Sequence, residues 1–589
     1  MGSGMSDTDR DDIQGGHMFR TVLACVGLVQ GLGFYVLAEA KWSDDALWLM
    51  AAATFSLLAP STFQLAFRLG PLWKALAAAL GFAALMSLLA FWMDWRIDWR
   101  GPDHFDDHRG VFFVTLPVVA YIAWAFLQTW TEQGGGRFPY ASLFRFAWSN
   151  ILIAAIAAAF LGVFWLVLVL WWSLFDLVGI RLFKDVFQHA LFAWVFSGGV
   201  FGLGIAIARE NGRLVPVLRR VVLMLFQVLA PVLAAASLMF LLVLPVTGLA
   251  PLWATKSATL VLVCLLFALS LFVNAVVQDG DRPLPFGRWM NWLMMATLLA
   301  MPVFAAIALY AVRLRIDQYG LTPERFIGQF VVVVAAVLAL AYAAGVVWKR
   351  RGWPDVVTRV NPWIAALVVA LALALLTPLA DPYGWSAGSQ LARLIDGKVD
   401  AGDFDYAYLK FQLGAPGRDA LERLRAVKGH AAQSVIDARL AEVDKASSYW
   451  EGRSGPAGVR PSELPALRAG LSVRPEGAVL PDEVLEVVST QRGWALNQCR
   501  PETEPCGVLV ADVNKDGQDE YVLLSRGYTF TGQLVHRDGA EWRLREVNML
   551  EGMTEEQRAA MWDAYLAGDI ELVQPEYYDI RIGKNRLHY

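Results

Sequence analysis

Ile151-Leu-Ile-Ala-Ala-Ile-Ala-Ala-Ala-Phe160-Leu-Gly-Val-Phe-Trp165-Leu-Val-Leu-Val-Leu170 runs twenty residues without a charge or an amide side chain. At about 1.5 Å rise per residue such a helix crosses the ~30 Å hydrocarbon layer of a bilayer. The same signature recurs on both sides of it. Working outward, apolar stretches of spanning length fall at 18–38, 46–66, 71–93, 110–130, 146–175, 190–208, 217–245, 257–277, 289–312, 326–348 and 362–380. The sequence therefore predicts an α-helical polytopic membrane bundle of about eleven spans. Pro231 gives the long seventh stretch a reason to bend. Residues 178–189 are amphipathic and suit the interface better than the core.

The whole-chain composition agrees. Of 589 residues, 57% are hydrophobic and only 18% charged, with 24 Trp. A soluble chain carries roughly 25% charged residues. The formal charge of −4 leaves no basic footprint for nucleic acid, so no nucleic-acid partner is expected, and membrane lipids are. Trp42, Trp92, Trp95, Trp99, Trp289, Trp292, Trp348 and Trp363 stand near span ends, as interfacial anchors do. Span centres are almost free of charge. Asn150, Gln227, Asn274 and Gln329 are polar there, and Gly198, Gly199, Gly202 and Gly204 form a small-residue face. Helix packing explains both, and a transporter working through buried carboxylates is disfavoured.

Lys and Arg concentrate in the even-numbered connections, among them Arg145, Arg213, Arg219, Arg220, Lys349, Arg350 and Arg351. That bias predicts a cytoplasmic N-terminus, and an odd number of spans then puts everything beyond Ala380 outside. The chain is read as 1–17, a disordered lead-in; 18–380, the transmembrane domain; 381–450, a helical membrane-proximal segment; 451–481, a linker; and 482–589, a mixed α/β periplasmic domain. In the membrane-proximal segment, Leu421, Leu424, Val427, Val435, Ile436 and Leu440 recur at helical spacing as core positions. Cys499 and Cys506 flank a short Pro- and Glu-rich loop. A disulfide there suits an oxidising compartment, and two separate thiols are the alternative.

Two loops assigned to the outer face hold more charge than a connector needs. The first contains Asp94, Arg96, Asp98, Arg100, His104, Asp107 and His108. His104 and His108 would share a helix face, and a neighbouring Asp could complete a metal site. An interfacial segment of alternating charges is the plainer alternative. The second, Arg313 to Arg325, predicts a tight helix–turn–helix: Gly320 closes one helix, and Thr322-Pro323 opens the next as N-cap and first-turn proline.

Within that second loop, Arg315-Ile-Asp317-Gln-Tyr-Gly-Leu-Thr-Pro-Glu-Arg325 resembles the hallmark of the domain-of-unknown-function 4153 family. Ser386-Ala-Gly-Ser-Gln390-Leu-Ala-Arg393-Leu and Phe404-Asp-Tyr-Ala-Tyr408-Leu-Lys-Phe-Gln-Leu-Gly414 resemble its segments beyond the last span. The resemblance covers roughly residues 20–440. It implies a bacterial polytopic membrane protein and brings neither an activity nor catalytic residues. Gly384-Trp-Ser386-Ala-Gly388 has the form of a nucleophile elbow, but the strand such an elbow needs does not precede it.

The clearest chemical signal lies near the C-terminus, in Asp512-Val-Asn514-Lys-Asp516-Gly517-Gln518-Asp519-Glu520. Oxygen donors at positions one, three and five, Gly at six, a backbone carbonyl at seven (Gln518) and an acid at nine wrap a hard cation, calcium rather than magnesium in a flexible loop. Position twelve is Leu523, so the pattern is no EF-hand. It resembles the calcium loops of FG-GAP-type β repeats. A simple Asn-Lys-Asp-Gly turn uses the same residue types. Strands are expected near 507–511, 520–525, 533–537 and 541–546, then a helix from Thr554 to Leu566.

Two functional expectations follow. The first is a non-enzymatic binding or scaffold protein of the cell envelope, with a periplasmic domain stabilised by calcium and a protein or glycan partner. The second is an enzyme or flippase acting on an envelope lipid or glycan, with Asp94, Arg96, Asp98, Arg100, His104 and Asp107 meeting Arg315, Asp317 and Arg325 at the membrane surface.

Overall fold

A computed structural model of the 589-residue chain describes residues 7–39, 48–97, 107–255, 257–280, 283–446, 470–485, 506–526, 530–539, 541–547 and 554–572, with a few shorter stretches. Fourteen helices come first: α1 (Asp7–Glu39), α2 (Leu49–Ala66), α3 (Leu72–Ile97), α4 (Asp107–Gln133), α5 (Tyr140–Leu177), α6 (Leu182–Gln188), α7 (Ala190–Glu210), α8 (Leu214–Thr247), α9 (Ala250–Ala254), α10 (Ala258–Val277), α11 (Arg288–Tyr319), α12 (Pro323–Lys349), α13 (Trp353–Leu375) and α14 (Pro382–Ile395). After them come α15 (Gly414–Ala426) and α16 (Gln433–Lys445). Strands β1 (Leu471–Arg474), β2 (Cys506–Ala511), β3 (Glu520–Arg526), β4 (Phe530–Asp538) and β5 (Glu541–Val547) follow, then α17 (Glu555–Ala567), β6 (Ile580–Ile582) and β7 (Asn585–Leu587).

Among the described residues, ten helical runs are long and apolar enough to cross a membrane. The last of them, Pro323–Leu375, contains both α12 and α13, joined by a single 3-10 turn at Arg350–Gly352. The two helices pack against each other, with Tyr342 of α12 bonded to Asn361 of α13, so the final two of the eleven expected spans remain two helices joined by a turn. The chain is a multi-pass membrane protein. α8 passes through Pro231 and Pro245 as a single helix, and the amphipathic stretch 178–189 holds only the short α6.

Close packing in this unit is built on small residues and amides. α1 lies against α7 with Gly27 and Gly31 facing Trp194, Gly198 and Gly199. A Cβ at Gly198 would collide with the Gly27 carbonyl oxygen, and one at Gly202 with that of Leu23. Only glycine allows backbones this near, and in lipid such contact takes over the role that hydrophobicity has in water. Amides and one guanidinium then tie helices to carbonyls. Gln64 Nε2 donates to Leu23 O at 3.2 Å, Asn150 Nδ2 to Gln128 Oε1 at 2.7 Å, and Arg209 to the carbonyls of Gln64 and Phe67. Around Trp353, Met301, Phe304 and Tyr342, a second core joins α8 and α10 to α13.

The chain divides into two compact units near Lys398, with Leu413–Ala420 counted with the first. In the second unit the sheet order is β1-β2-β3-β4-β5, with β1 parallel to β2 and every other pair antiparallel. One sheet face buries Val508, Val510, Leu523 and Val535 with Leu480, Val484 and Leu485. The other carries Leu524 under Trp562 and Tyr565 of α17.

Four expectations need correction. α1 begins at Asp7, inside the expected lead-in. Pro382–Ile395 belongs with the membrane unit, not with a separate proximal segment. The expected linker 451–481 contains β1, because Leu471 and Val473 bury against β2 in spite of the Gly- and Pro-rich flanks. Of the expected core positions, Leu421, Leu424, Ile436 and Leu440 are buried, but Val435 is exposed since α16 starts only at Gln433.

Candidate functional site

Gly320, at φ +78°, ends α11, and Thr322 caps α12 by accepting from Arg325 N at 3.4 Å. α14 reads this turn with one face. Ser386, Gln390 and Arg393 stand four and three residues apart, so they line one side of the helix. Ser386 Oγ donates to Leu321 O at 2.9 Å, and Gln390 Nε2 to the same carbonyl at 3.1 Å. Arg393 donates to Asp317 O at 3.0 Å and to Gln318 O at 3.1 Å. Arg325 Nη1 donates to Gly320 O at 2.7 Å and stacks its guanidinium over Tyr319. The last carbonyls of α11, which no helical N–H can reach, are thereby satisfied. Two of the three resembling stretches, 315–325 and 386–394, are thus joined by these bonds. Ser386 is fully buried there, which removes it as a nucleophile.

Of the charged residues placed on the outer face, Asp94 is buried near the end of α3. Arg96 and Asp107 are described only as helical backbone, and Asp98, Arg100 and His104 lie outside the described residues. Arg315 and Asp317 are exposed on α11. α3 packs against α2 and α4, whereas α11 packs against α8, α10 and α12. Beside Arg315 there is a cavity of about 530 Å³, walled also by Gln318, Tyr319, Trp253, Ser257 and Thr259.

The acidic loop connects β2 to β3. Asp512 Oδ1 accepts from Asp516 N at 3.0 Å, and its Oδ2 from Gly517 N at 2.9 Å. Glu520 is buried, and its Oε2 accepts from Val513 N at 2.7 Å and Asn514 N at 3.3 Å. Asn514 Nδ2 lies between two carboxylates, donating to Glu520 Oε1 at 2.7 Å and Asp516 Oδ2 at 3.0 Å. Left-handed backbone at Lys515 (φ +62°) and Gly517 (φ +87°) closes the turn. Carboxylate oxygens of Asp512, Asp516 and Glu520 lie within 4.8 Å of one another. These are hard oxygen donors of the kind calcium takes. Asn514 Oδ1 in turn accepts from Asp516 N at 2.8 Å. Leu523, at position twelve, is buried in the sheet. Burial pushes the neighbouring Tyr521 phenol above its ordinary range, and Asp519 adds to the shift. Cys506 is buried at the start of β2, while Cys499 lies outside the described residues.

One polar cluster escaped the sequence reading. Asn274 of α10 accepts from Tyr140 Oη of α5 at 2.9 Å and from Asn361 Nδ2 of α13 at 2.6 Å. It donates to Tyr342 Oη of α12 at 3.1 Å, which donates on to Asn361 Oδ1 at 2.7 Å. This ring ties four membrane helices together and borders a cleft of about 370 Å³. Asn274 was visible as an amide in an apolar span. Asn361 was not, because Asn361-Pro362 reads as a span boundary.

The comparisons with known proteins are narrow. The family model described as "Domain of unknown function (DUF4153)" matches residues 24–424, and the chain belongs to that family. No curated protein and no solved structure matches it.

Proposed function

For this member of the DUF4153 family, we propose a binding or scaffold role in the bacterial inner membrane. The N-terminus is cytoplasmic, and the C-terminal domain faces the periplasm and is stiffened by one calcium ion. The observation that carries the reading is the convergence of Asp512, Asp516 and Glu520 around the Asn514 amide, on a loop set between two core strands. Asp512, Asn514, Asp516 and Glu520 would hold the ion with their side-chain oxygens, and Gln518 with its backbone carbonyl. The ion supplies positive charge that locks the β2–β3 connection, so the sheet presents a fixed surface to an envelope protein or glycan. A Cys499–Cys506 disulfide would tether the segment that leads into β2. The Lys and Arg bias of the connections supports the orientation.

Hydrogen exchange on the full-length protein tests the calcium reading. Amides 512–520 are expected to gain protection with calcium and lose it with chelator, and equal exchange in both conditions rejects it. A C-terminal alkaline phosphatase fusion tests the orientation, with activity expected only if that end is periplasmic.

The cavity beside Arg315 favours a second reading, an enzyme or flippase acting on an envelope lipid or glycan. On that reading Arg315→Ala removes a co-purifying lipid-linked species detected by mass spectrometry. An unchanged lipid complement in the variant rejects it.

A further inference from the structure

A cavity of about 660 Å³ lies between α1, α6 and α7, lined in part by Leu28, Leu32, Asp185, His189, Phe192 and Val195. α1 and α7 run antiparallel beside it, with Gly31 against Trp194 and Gly27 against Gly198. From His189 to Phe196 the wall follows α7 for about 10 Å away from α6. Its sides are apolar, and Val29, Leu32 and Phe196 are exposed there, as surfaces toward hydrocarbon are. Asp185 and His189 bring its polar groups to the α6 end.

α6 has seven residues, too few to hold as a helix by themselves, and aromatic packing fixes it. The ring of buried Phe187 lies 5.3 Å from that of Phe192 on α7 and 5.9 Å from that of Trp171 on α5. Phe183 lies 4.5 Å from Phe175. These contacts keep Asp185 at the mouth of the cavity.

The charges there do not cancel locally. Arg181 Nε stands 4.0 Å and Lys184 Nζ 3.7 Å from the two oxygens of Asp176, at the end of α5. Two cations share one acid, so one positive charge is left over. Among the described residues no cation pairs with Asp185, which leaves one negative charge beside it. His189 Nδ1 accepts from Leu191 N at 3.3 Å, so Nε2 carries the ring proton as a donor. An anionic headgroup would leave Asp185 unanswered, and a cationic one would leave Arg181 and Lys184 so. A zwitterion answers both. A charge-assisted bond to a carboxylate needs N–H donors, which a primary ammonium has and a quaternary one lacks. We propose that this cavity binds phosphatidylethanolamine, with its ammonium on Asp185, its phosphate on Arg181 and Lys184, and one acyl chain between α1 and α7. The site is independent of the calcium loop and of the cavity beside Arg315.

The test uses full-length protein, delipidated in an uncharged detergent, with binding followed by native mass spectrometry and by melting temperature. Four probes are compared: dioleoylphosphatidylethanolamine, its choline and glycerol counterparts, and glycerophosphoethanolamine, which has the headgroup without the chains. The first is expected to bind about tenfold tighter than the others, and to raise the melting temperature most. Asp185 is exposed, so Asp185→Asn is expected to fold normally and to weaken that binding about tenfold, the loss of one charge-assisted contact. Asp355→Asn removes an exposed acid at the start of α13, outside the cavity, and should stay within about twofold. Equal binding of phosphatidylethanolamine by wild type and Asp185→Asn overturns the proposal. So does the choline or glycerol lipid binding as tightly, because the ammonium would then go unread. Glycerophosphoethanolamine binding as tightly also overturns it, because the site would then serve a soluble zwitterion.

Discussion

The turn at 313–325 and the loop at 512–520 read alike in sequence, each a short connection crowded with charge. They satisfy opposite halves of the backbone. In the first, cations and neutral donors of α14 and α12 give hydrogen bonds to carbonyls at a helix end. In the second, carboxylates accept from backbone N–H groups in a tight turn. Arg325 and Arg393 in the first spend their Nη donors on backbone carbonyls, although Arg393 Nε is buried without a partner. The carboxylates of the second also satisfy the backbone, yet their oxygens still converge from three residues on one point. Charge density in a loop is therefore a poor sign of chemistry. What distinguishes the two is whether the charged atoms are already used up on the chain itself.

The largest effect that could break this contrast is at the turn. Gln390→Ala combined with Arg393→Ala leaves helix-end carbonyls without donors and should destabilise the membrane unit by about 3 kcal/mol, read as a lowered melting temperature in detergent. The loss should be the same with calcium or chelator. Next comes Glu520→Ala, which strips Val513 N, Asn514 N and Asn514 Nδ2 of an acceptor. It should cost about 2 kcal/mol without calcium, and more with it, because the difference between the two conditions disappears. Ser386→Ala removes one buried hydroxyl bond and should cost about 1 kcal/mol, again regardless of calcium.

The smallest effect concerns pH. Tyr565 donates to Ser472 O, and burial pushes its phenol up to about 12. The folded sheet therefore favours the protonated phenol. Its contribution is complete below pH 10, the ordinary tyrosine value, and falls away as pH rises toward 12. Tyr565→Phe should flatten the fall in sheet stability over that window, followed by exchange of the β1–β2 amides. It should also cost about 1 kcal/mol at neutral pH.

The membrane architecture was legible because lipid leaves little choice. Twenty apolar residues state their fate, and Gly198, Gly199 and Gly202 declared a close contact before its partner on α1 was known. The caps at Gly320 and Thr322 were readable for a similar reason, since both depend on local backbone chemistry. β1 was hidden because four residues of strand draw their stability from a partner over thirty positions away. The ring of Tyr140, Asn274, Tyr342 and Asn361 was hidden because it takes one side chain from each of four helices. Motif spacing found the acidic loop, but it could not show that Asn514 places an amide between Asp516 and Glu520.

The central proposal is that the acidic loop takes one cation, whereas the polar side chains that α14 and α12 bring to the hallmark turn bond to its own backbone. Native mass spectrometry of the full-length protein, released from its own membrane with and without chelator, tests it most directly. One calcium per chain is expected, lost with chelator and absent from Glu520→Ala. A protein that carries no calcium, or a variant that keeps it, would contradict the account.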